Sequence, residues 1–297
     1  MSKILLVDGN AMLFRAYYAS KYVRRMTTSN GIPTNAVYGF ITMFKKAMEI
    51  IQPEYVCVAW DSGKPTFRHK KYDAYKGTRK ELDEDLIVQM PIIREYLDCA
   101  NVFRYEQEGI EADDIIGSIS RKYSDHETVI LSSDRDLLQL IDASTSVLLM
   151  KKGITEMHLV DEKECLESFG VHPLQIIELK GLMGDTSDNI PGVKGVGEKT
   201  ALKLLQKYGS IEGLYENIDD ISGSTKDKLV EGKESAFMSK KIATIYKEVP
   251  VPYKLEDLEY TGPTPELKDM YNDICISFPR LTVLSDKRRQ AIKARLN

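Results

Sequence analysis

Short runs of apolar, mostly β-branched residues alternate with longer segments of helical period over the first 165 residues. Continuous apolar runs of this length are typical of strands that are buried on both faces of a sheet. The predicted strands are residues 4–7, 55–60, 101–105, 128–133, 146–150 and 155–160. Strands that alternate with helices predict a mostly parallel α/β sheet with helices on both faces.

Two of the helical segments can be placed from their pattern alone. Apolar residues recur at helical spacing over 36–51, which predicts a helix with Asn35 as its N-cap and Pro53 beyond its end. A second apolar face follows over 86–97, where Pro91 predicts a kink or a new helix start.

After about residue 165 the apolar strand runs stop, and short helical pieces separated by Gly and Pro follow. The pattern predicts an α/β core over 1–165 and a helical subdomain over 166–297. The last residues, 286–297, are basic and predict a helical end that could simply be a solvated face.

Composition excludes several classes of protein. The chain has 297 residues, 42% of them hydrophobic, and a net charge of −4, so it can bury a core and any basic surface must be local. Its four cysteines lie far apart, which argues against a zinc site or a disulfide framework and for a reducing compartment. Without a signal peptide or a membrane-length apolar run, we expect a cytoplasmic protein.

Aspartates stand directly after three of the predicted strands. Asp8 follows the first, Asp61 the second, and Asp134 the fourth, with Asp136 two residues later. The carboxyl ends of parallel strands form the crevice where ligands bind, so these side chains are expected to converge. Each of them could equally cap the helix that follows.

Two further acidic groups lie at helix ends. Glu111, Asp113 and Asp114 open an apolar-periodic segment, with Glu111 and Asp114 on one face, and Asp185 and Asp188 repeat the same spacing after another helical run. Acidic residues in a first helical turn can be purely structural.

Nine carboxylates in one crevice would repel one another strongly enough to force protonation of several. Hard divalent cations remove that repulsion, and an all-oxygen set favours Mg²⁺ or Mn²⁺ over zinc. Two such ions can stabilise both the attacking and the leaving oxygen of phosphodiester hydrolysis. The nine predicted metal ligands are Asp8, Asp61, Glu111, Asp113, Asp114, Asp134, Asp136, Asp185 and Asp188.

The segment 62–80 is strongly basic. It holds seven Lys or Arg residues and one Asp, interleaved with Phe67, Tyr72 and Tyr75. Cations neutralise phosphates and aromatic rings stack on unpaired bases, so the segment predicts a grip on single-stranded nucleic acid. It could equally be a solvated loop that only aids solubility.

A glycine-rich turn lies within 184–201. Gly192, Gly195 and Gly197, followed by Lys199, predict a hairpin before a second helix, whose backbone amides suit a phosphate. Simple helix-hairpin packing is the alternative. Beside Asp185, the turn predicts a clamp for a duplex backbone next to a metal site.

Taken together, these segments resemble the 5′-nuclease superfamily, which includes flap endonucleases and the 5′–3′ exonuclease domain of bacterial DNA polymerase I. The resemblance runs nearly end to end, although it is loose from Gly223 onward. The motifs, in family order, are LLVDGN (5–10), AWDSGKPTFR (59–68), YKGTR (75–79), EGIEADD (108–114), SSDRDLLQL (132–140) and GDTSDNIPGVKGVGEKTA (184–201).

The resemblance implies a PIN-like sheet, a helical arch over 62–97, and a helix–three-turn–helix motif with K⁺ at its hairpin. It implies two or more divalent ions, one held mainly by the acids matching Asp8, Asp61, Glu111 and Asp113, and the other by those matching Asp113, Asp134, Asp136, Asp185 and Asp188. Asp114 matches a further site acid.

The resemblance also implies roles for basic and aromatic residues. Residues expected to face the scissile phosphate are Arg15, Tyr75, Lys76 and Arg79. Residues expected to bind DNA are Arg68, Lys70, Lys71, Lys180, Gly192, Lys194, Gly195, Gly197 and Lys199.

The expected function is metal-dependent 5′–3′ exonuclease and flap endonuclease activity in replication and repair, on DNA with a 5′ flap, 5′ overhang or nick, and on an RNA primer paired with DNA. We expect a monomeric, stand-alone nuclease. A DNA-binding clamp with structural acids, or a PIN-type ribonuclease, would use much of the same residue set, although the glycine hairpin favours duplex DNA.

Overall fold

A six-stranded sheet forms the centre of the protein, in the order β3-β2-β1-β4-β5-β6. The computed structural model describes residues 1–21, 26–28 and 30–274. The first five strands are parallel, and β6 is antiparallel to β5. The α/β prediction is confirmed, while the predicted basic end at 286–297 lies outside the described residues. The strands are β1 (Lys3–Asp8), β2 (Tyr55–Trp60), β3 (Phe103–Glu106), β4 (Glu127–Ser132), β5 (Thr145–Lys152) and β6 (Glu156–Val160).

Alternate residues of each strand supply two separate cores, because successive side chains of a strand point to opposite faces. Leu5 and Val7 pack into one core with α1 and α2, whereas Ile4 and Leu6 pack into the other with α6. The described helices are α1 (Gly9–Ser20), α2 (Asn35–Ile51), α3 (Phe67–Lys71), α4 (Glu84–Ile87), α5 (Met90–Cys99), α6 (Ala112–Lys122), α7 (Glu162–Phe169), α8 (Gln175–Met183), α9 (Glu198–Tyr208), α10 (Ile211–Glu216), α11 (Ser224–Glu231), α12 (Lys233–Ala243) and α13 (Glu266–Ile274).

Two predicted helix boundaries can be compared with the structure: the start of α2 differs by one residue, and Pro91 marks a new helix start rather than a kink. The prediction of Asn35 as the N-cap of α2 is wrong by one residue: Thr34 is the N-cap, and the Asn35 side chain donates instead to the Ser20 hydroxyl. Pro91 lies in the first turn of α5, so the apolar face over 86–97 is divided between α4 and α5. Proline is well tolerated there because the first helical amides have no intrahelical partner.

Beyond Val160 the described residues form helices and turns, with no strand longer than an isolated bridge. In this part α8 packs against both α9 and α12. No helix within the described ranges is long and apolar enough to cross a membrane.

The register of the parallel strands aligns their carboxyl ends. Asp8 pairs with Ala59 on β2, and Val7 pairs with Leu131 on β4. Asp61 and Asp134 follow these two strands within two residues of their ends, so the sheet delivers both aspartates to the edge where β1 ends.

Candidate active site

Asp8 connects the ends of β1 and β4 and also caps the first helix. Its Oδ1 accepts a hydrogen bond of 2.9 Å from the Ala11 amide, and its Oδ2 accepts one of 2.8 Å from the Ser132 hydroxyl. The Ser132 oxygen in turn accepts from the Asp134 amide at 2.9 Å. Asp8 therefore caps the first helix and also lies with the acids at the strand ends, so the two interpretations of this residue are compatible.

Asp61 brings the start of α6 to the same edge. Its Oδ1 accepts a hydrogen bond of 2.8 Å from the Ala112 amide, and its own amide donates to Asn10 Oδ1 at 3.0 Å. Asp113, one residue into the helix, then faces the carboxylates of the strand ends.

The strand-end acids are close enough to perturb one another. Burial raises the pKa of Asp8 to about 7, and the charges of Asp61 and Asp134 add to the effect. Burial also raises the pKa of Asp113 well above its usual range, with repulsion from Asp8, Asp134 and Asp61 as the next causes. Buried, convergent carboxylates raise one another's pKa in this way, and the charge of Lys76 only partly offsets the effect on Asp113.

Lys180 joins the helical subdomain to this cluster. Its Nζ lies 2.6 Å from Asp136 Oδ1 and also contacts Asp185 Oδ2. Burial and the charge of Asp134 raise the pKa of Asp136 to about 7 in spite of the lysine. Lys180, predicted to bind DNA, lies between two carboxylates of the cluster, and its role toward DNA stays a prediction.

Residues of segment 62–80 reach the acids from the opposite side. The Tyr75 hydroxyl lies 3.1 Å from Glu111 Oε2 and 3.2 Å from Asp188 Oδ2, and Lys76 Nζ donates to Glu111 at 3.0 Å. Arg79 pairs with Asp188 at 2.7 Å. Burial would raise the pKa of Glu111, but Lys76 and Arg68 outweigh it and hold that pKa below its usual value.

An open cavity of about 290 Å³ lies where the basic segment meets Asp61 and Glu111. Asp61, Glu111, Lys76 and Arg79 all line it, so acidic and basic side chains share the same cavity. This mixed lining suits a phosphodiester, because the cations can hold its charge while the acids hold counter-ions.

Asp114 and Arg68 are corrections. Asp114 does not point to the acid cluster: it is fully buried and accepts two hydrogen bonds from Arg68, of 2.7 and 2.8 Å, and one from the Tyr246 amide. Arg68 is 3% exposed and also donates to the carbonyls of Ile242 and Thr244, so it cannot reach DNA. Both residues anchor α3 to α6 and to the end of α12.

Other predicted residues lie farther from the acids. Arg15 donates to the Gly153 carbonyl at the β5–β6 turn, at 2.9 Å. Lys70 and Lys71 are exposed on α3, and Lys71 Nζ lies 5.0 Å above the Phe67 ring. Their expected roles stay predictions.

The glycine hairpin connects α8 to α9. Gly192 has a φ of 60°, and a Cβ there would lie 2.2 Å from the Gly184 nitrogen, so a side chain cannot fit. Gly197 is the N-cap of α9. Lys194 and Lys199 are exposed on the hairpin and the first turn of α9, where a DNA backbone could reach them.

Three residues that hold this site together were not singled out from sequence: Asn10, Ser132 and Asn189. Asn10 and Ser132 stand within two residues of a strand-end aspartate, and that position was the available signal. Asn189 gave no signal beyond its place in the turn after Asp188.

The carboxylates converge without forming a preorganised metal centre. Within the described residues, no group of three Asp, Glu, His or Cys side chains is arranged to hold an ion as it stands. Lys76, Arg79 and Lys180 contact several of the acids instead. The metal role of the acids stays a prediction.

Family comparison covers most of the chain. Residues 3–170 match the model of the 5′-3′ exonuclease N-terminal resolvase-like domain, and residues 171–266 match that of the 5′-3′ exonuclease C-terminal SAM fold.

Curated relatives are longer proteins. The chain is 46% identical over 263 residues to DNA polymerase I of Bacillus subtilis, covering 88% of this chain and 30% of the relative. It is 44% identical over 268 residues to DNA polymerase I of Streptococcus pneumoniae R6, covering 89% of this chain and 31% of the relative. The chain thus spans about 30% of the length of these relatives.

Solved structures share the fold. The T5 5′-exonuclease with bound zinc has a TM-score of 0.67 at 22% identity, covering 92% of this chain and 98% of its own. The catalytic core of Rad2 in complex with DNA substrate has a TM-score of 0.58 at 14% identity, covering 99% and 92%. The resemblance found in the sequence motifs is confirmed: this chain belongs to the 5′-3′ exonuclease family.

Proposed function

We propose that this protein hydrolyses phosphodiester bonds of DNA at 5′ ends and at 5′ flaps, with divalent cations held by its acidic cluster. The observation that carries the proposal is the convergence of acids at the strand ends, beside a cavity that Asp61 and Glu111 line together with Lys76 and Arg79. Family membership supports the same reaction.

The donor chemistry fits hard divalent cations. The site offers carboxylate oxygens from both the sheet and the turn after α8, and the buried Asp136 Oδ1 already lies against a cation, the Lys180 ammonium 2.6 Å away. The residues that would hold the cations are Asp8, Asp61, Glu111, Asp113, Asp134, Asp136, Asp185 and Asp188. Bound ions would supply positive charge to the reacting phosphate, and two occupied sites are the arrangement we favour.

The T5 5′-exonuclease structure that shares this fold contains zinc, and a second T5 flap endonuclease structure contains DNA and metal ions. We propose Mg²⁺ or Mn²⁺ here because every donor is oxygen. When a metal ion binds, Lys76 would have to release Glu111 and Lys180 would have to release Asp136, because the same carboxylates would hold the ion.

The chain's own cations orient the substrate. Lys76 and Arg79 line the cavity beside Asp61 and Glu111, and they would hold the nonbridging oxygens of the scissile phosphate as charge develops. Overall, the oxygen of a water molecule bonds to phosphorus, one ester oxygen leaves, and the two protons of the water are passed to the leaving oxygen and to solvent.

The exposed residues of the hairpin would hold the duplex beside the cut. Lys194, Lys199 and the backbone around Gly195 face solvent, which suits phosphates of a duplex and a K⁺ ion shared with them. DNA with a 5′ flap, overhang or nick, and an RNA primer paired with DNA, are the proposed substrates of a monomeric enzyme.

A 5′-labelled flap substrate tests the proposal. The protein should cut it in Mg²⁺ and not in chelator, and Asp134→Asn should lower the rate at least about 100-fold. Asp125→Asn is the matched control, since Asp125 is an exposed acid outside the cluster.

Two outcomes would favour other functions. Tight flap binding without cleavage in Mg²⁺ or Mn²⁺ would indicate a DNA clamp, a reading to which the lysine–carboxylate contacts lend some support. Faster cleavage of a matched RNA flap than of the DNA flap would indicate a ribonuclease.

A further inference from the structure

The turn after α8 makes four contacts with the basic segment. Asn189 Nδ2 donates to the Ala74 carbonyl at 2.7 Å, and the Lys76 amide donates to the Asp188 carbonyl at 2.9 Å. The Asp188 carboxylate also accepts from Tyr75 and Arg79, at 3.2 and 2.7 Å. Residues 74–79 are therefore fastened to residues 188–189 through both backbone and side chains.

The conformation of Lys76 depends on this fastening. Lys76 has a φ of 54°, in the left-handed region that costs a lysine about 1 kcal/mol or more. Asn189, across the contact, has a φ of 55°, which asparagine tolerates far better. The hydrogen bonds from this turn hold Lys76 in a conformation that directs its ammonium to Glu111.

The turn forms the first half of the glycine hairpin, and α12 holds the hairpin in place. Asp185 and Ile190 exchange two backbone hydrogen bonds of 2.8 and 2.7 Å, which close the turn. Two residues later, the Gly192 amide donates to Ser239 and its carbonyl accepts from Ser235, both on α12. Ile190 also packs in one apolar cluster with Tyr75.

We infer that Asn189 is a positioning residue that couples the glycine hairpin to the basic segment, so that the placement of Lys76 depends on the hairpin rather than on its own segment alone. The inference rests on the proposed function for its kinetic consequence. The coupling between residues 74–79 and residues 188–189 does not depend on that function, because it follows from their hydrogen bonds alone. Asn189 itself does not touch the proposed reacting atoms.

Two variants of Asn189 separate its side chain from its backbone conformation. Asn189→Gly keeps the left-handed backbone and removes the donor, and Asn189→Asp keeps the shape but replaces the donor by an acceptor. Asn101→Gly is the matched control, because Asn101 also has a φ of 55° and donates from Nδ2, to Thr261 on another part of the surface.

Hydrogen–deuterium exchange over 72–79 should be about tenfold faster in both Asn189 variants. The bond from Asn189 to the Ala74 carbonyl is lost, and the adjacent bond from the Lys76 amide to the Asp188 carbonyl is weakened with it. Flap cleavage should show kcat lowered about tenfold and KM changed less than about threefold, because Lys76 is displaced while duplex contacts remain. Asn101→Gly should leave both measurements at the wild-type value, and thermal unfolding should verify that all variants are folded.

Unchanged exchange over 72–79 in both Asn189 variants would overturn the inference, whatever the cleavage rate. A wild-type protein that fails to cut the flap overturns the proposed function alone, because the exchange measurement still decides the coupling. Loss of activity through KM with kcat retained would show that Asn189 acts in binding and not in positioning Lys76.

Discussion

Arg68 and Asp114 form a two-point ion pair in which both side chains are almost entirely buried, at 3% and 0% exposure. The pair joins α3, at the base of the basic segment, to α6, whose first turn carries the acids. A sequence motif that matches a nuclease family therefore contains residues whose contacts are architectural.

Removing one charge of this pair should destabilise the protein strongly. Asp114→Asn removes the closer of the two carboxylates that face the buried guanidinium and leaves only Glu111, 3.5 Å from Arg68 Nη1, which should cost about 3 kcal/mol. Glu248→Gln is the control, because it breaks the exposed Arg121–Glu248 pair and should cost less than about 1 kcal/mol. Urea unfolding of both variants measures the difference, and equal losses would contradict the structural assignment.

The metal-free protein should lose stability as pH rises. Asp8 and Asp136 have folded pKa values raised to about 7 from an ordinary 3.8, so between about pH 4 and pH 7 the folded state binds more protons than the unfolded state. Stability then falls with increasing pH across this window. These groups contribute no further change above the folded pKa.

Thermal unfolding in chelator at pH 5.5 and pH 8 tests this dependence. The Asp136→Asn variant should show a smaller fall in Tm than the wild type, because it removes one buried carboxylate that must ionise. Adding Mg²⁺ should raise Tm more at pH 8 than at pH 5.5, since protons compete with the cation. A metal-induced rise that is larger at pH 5.5 would refute the assignment of these acids.

Lys76→Met should reduce the cleavage rate far more than binding. Its ammonium lies on the cavity wall and contacts Glu111, so its loss should lower kcat about 100-fold with a small effect on the flap Kd. Lys70→Met, which removes an exposed lysine of the same segment, should change kcat less than about threefold. Single-turnover kinetics with a fluorescent flap measures the cleavage rate of both variants. Similar losses would show that the lysines of this segment act only through their overall positive charge.

Lys199 and Lys194 should determine how binding responds to salt. Each substitution by Ala is expected to lower the slope of log K against log salt by about one, because one phosphate contact is lost. Lys163→Ala removes an exposed lysine on α7 and serves as the control. Fluorescence anisotropy with a nicked duplex at several salt concentrations measures the slopes; unchanged slopes would exclude the hairpin from the duplex interface.

Gly192→Ala and Gly197→Ala should differ sharply in stability. At Gly192 a Cβ meets backbone atoms 2.2 Å away and φ is positive, so the hairpin must rearrange at a cost of several kcal/mol, on the order of 3 or more. A Cβ at Gly197 would meet no heavy atom within 4 Å apart from those of its chain neighbours, and the change should cost about 1 kcal/mol or less. Comparable denaturation midpoints for both variants would show that the hairpin is not closely packed.

The sequence by itself determined the sheet, the helices near it and the position of acids at strand ends. Apolar period and strand length are local properties, and parallel strands must place Asp8, Asp61 and Asp134 at one edge once the register is set. The density of Lys and Arg over 62–80 and the spacing of Gly before Lys199 likewise indicated the basic segment and the hairpin, because both are local patterns.

Only the tertiary structure decided which side chain each acid contacts. Asp113 and Asp114 are neighbours, but about 100° of helical rotation separates them, so one faces the strand ends and the other faces Arg68. The same holds for Lys180, which contacts Asp136, and for Asn189, whose partner Ala74 lies 115 positions away. Such choices depend on how elements pack against one another, and no local pattern of residues encodes that packing.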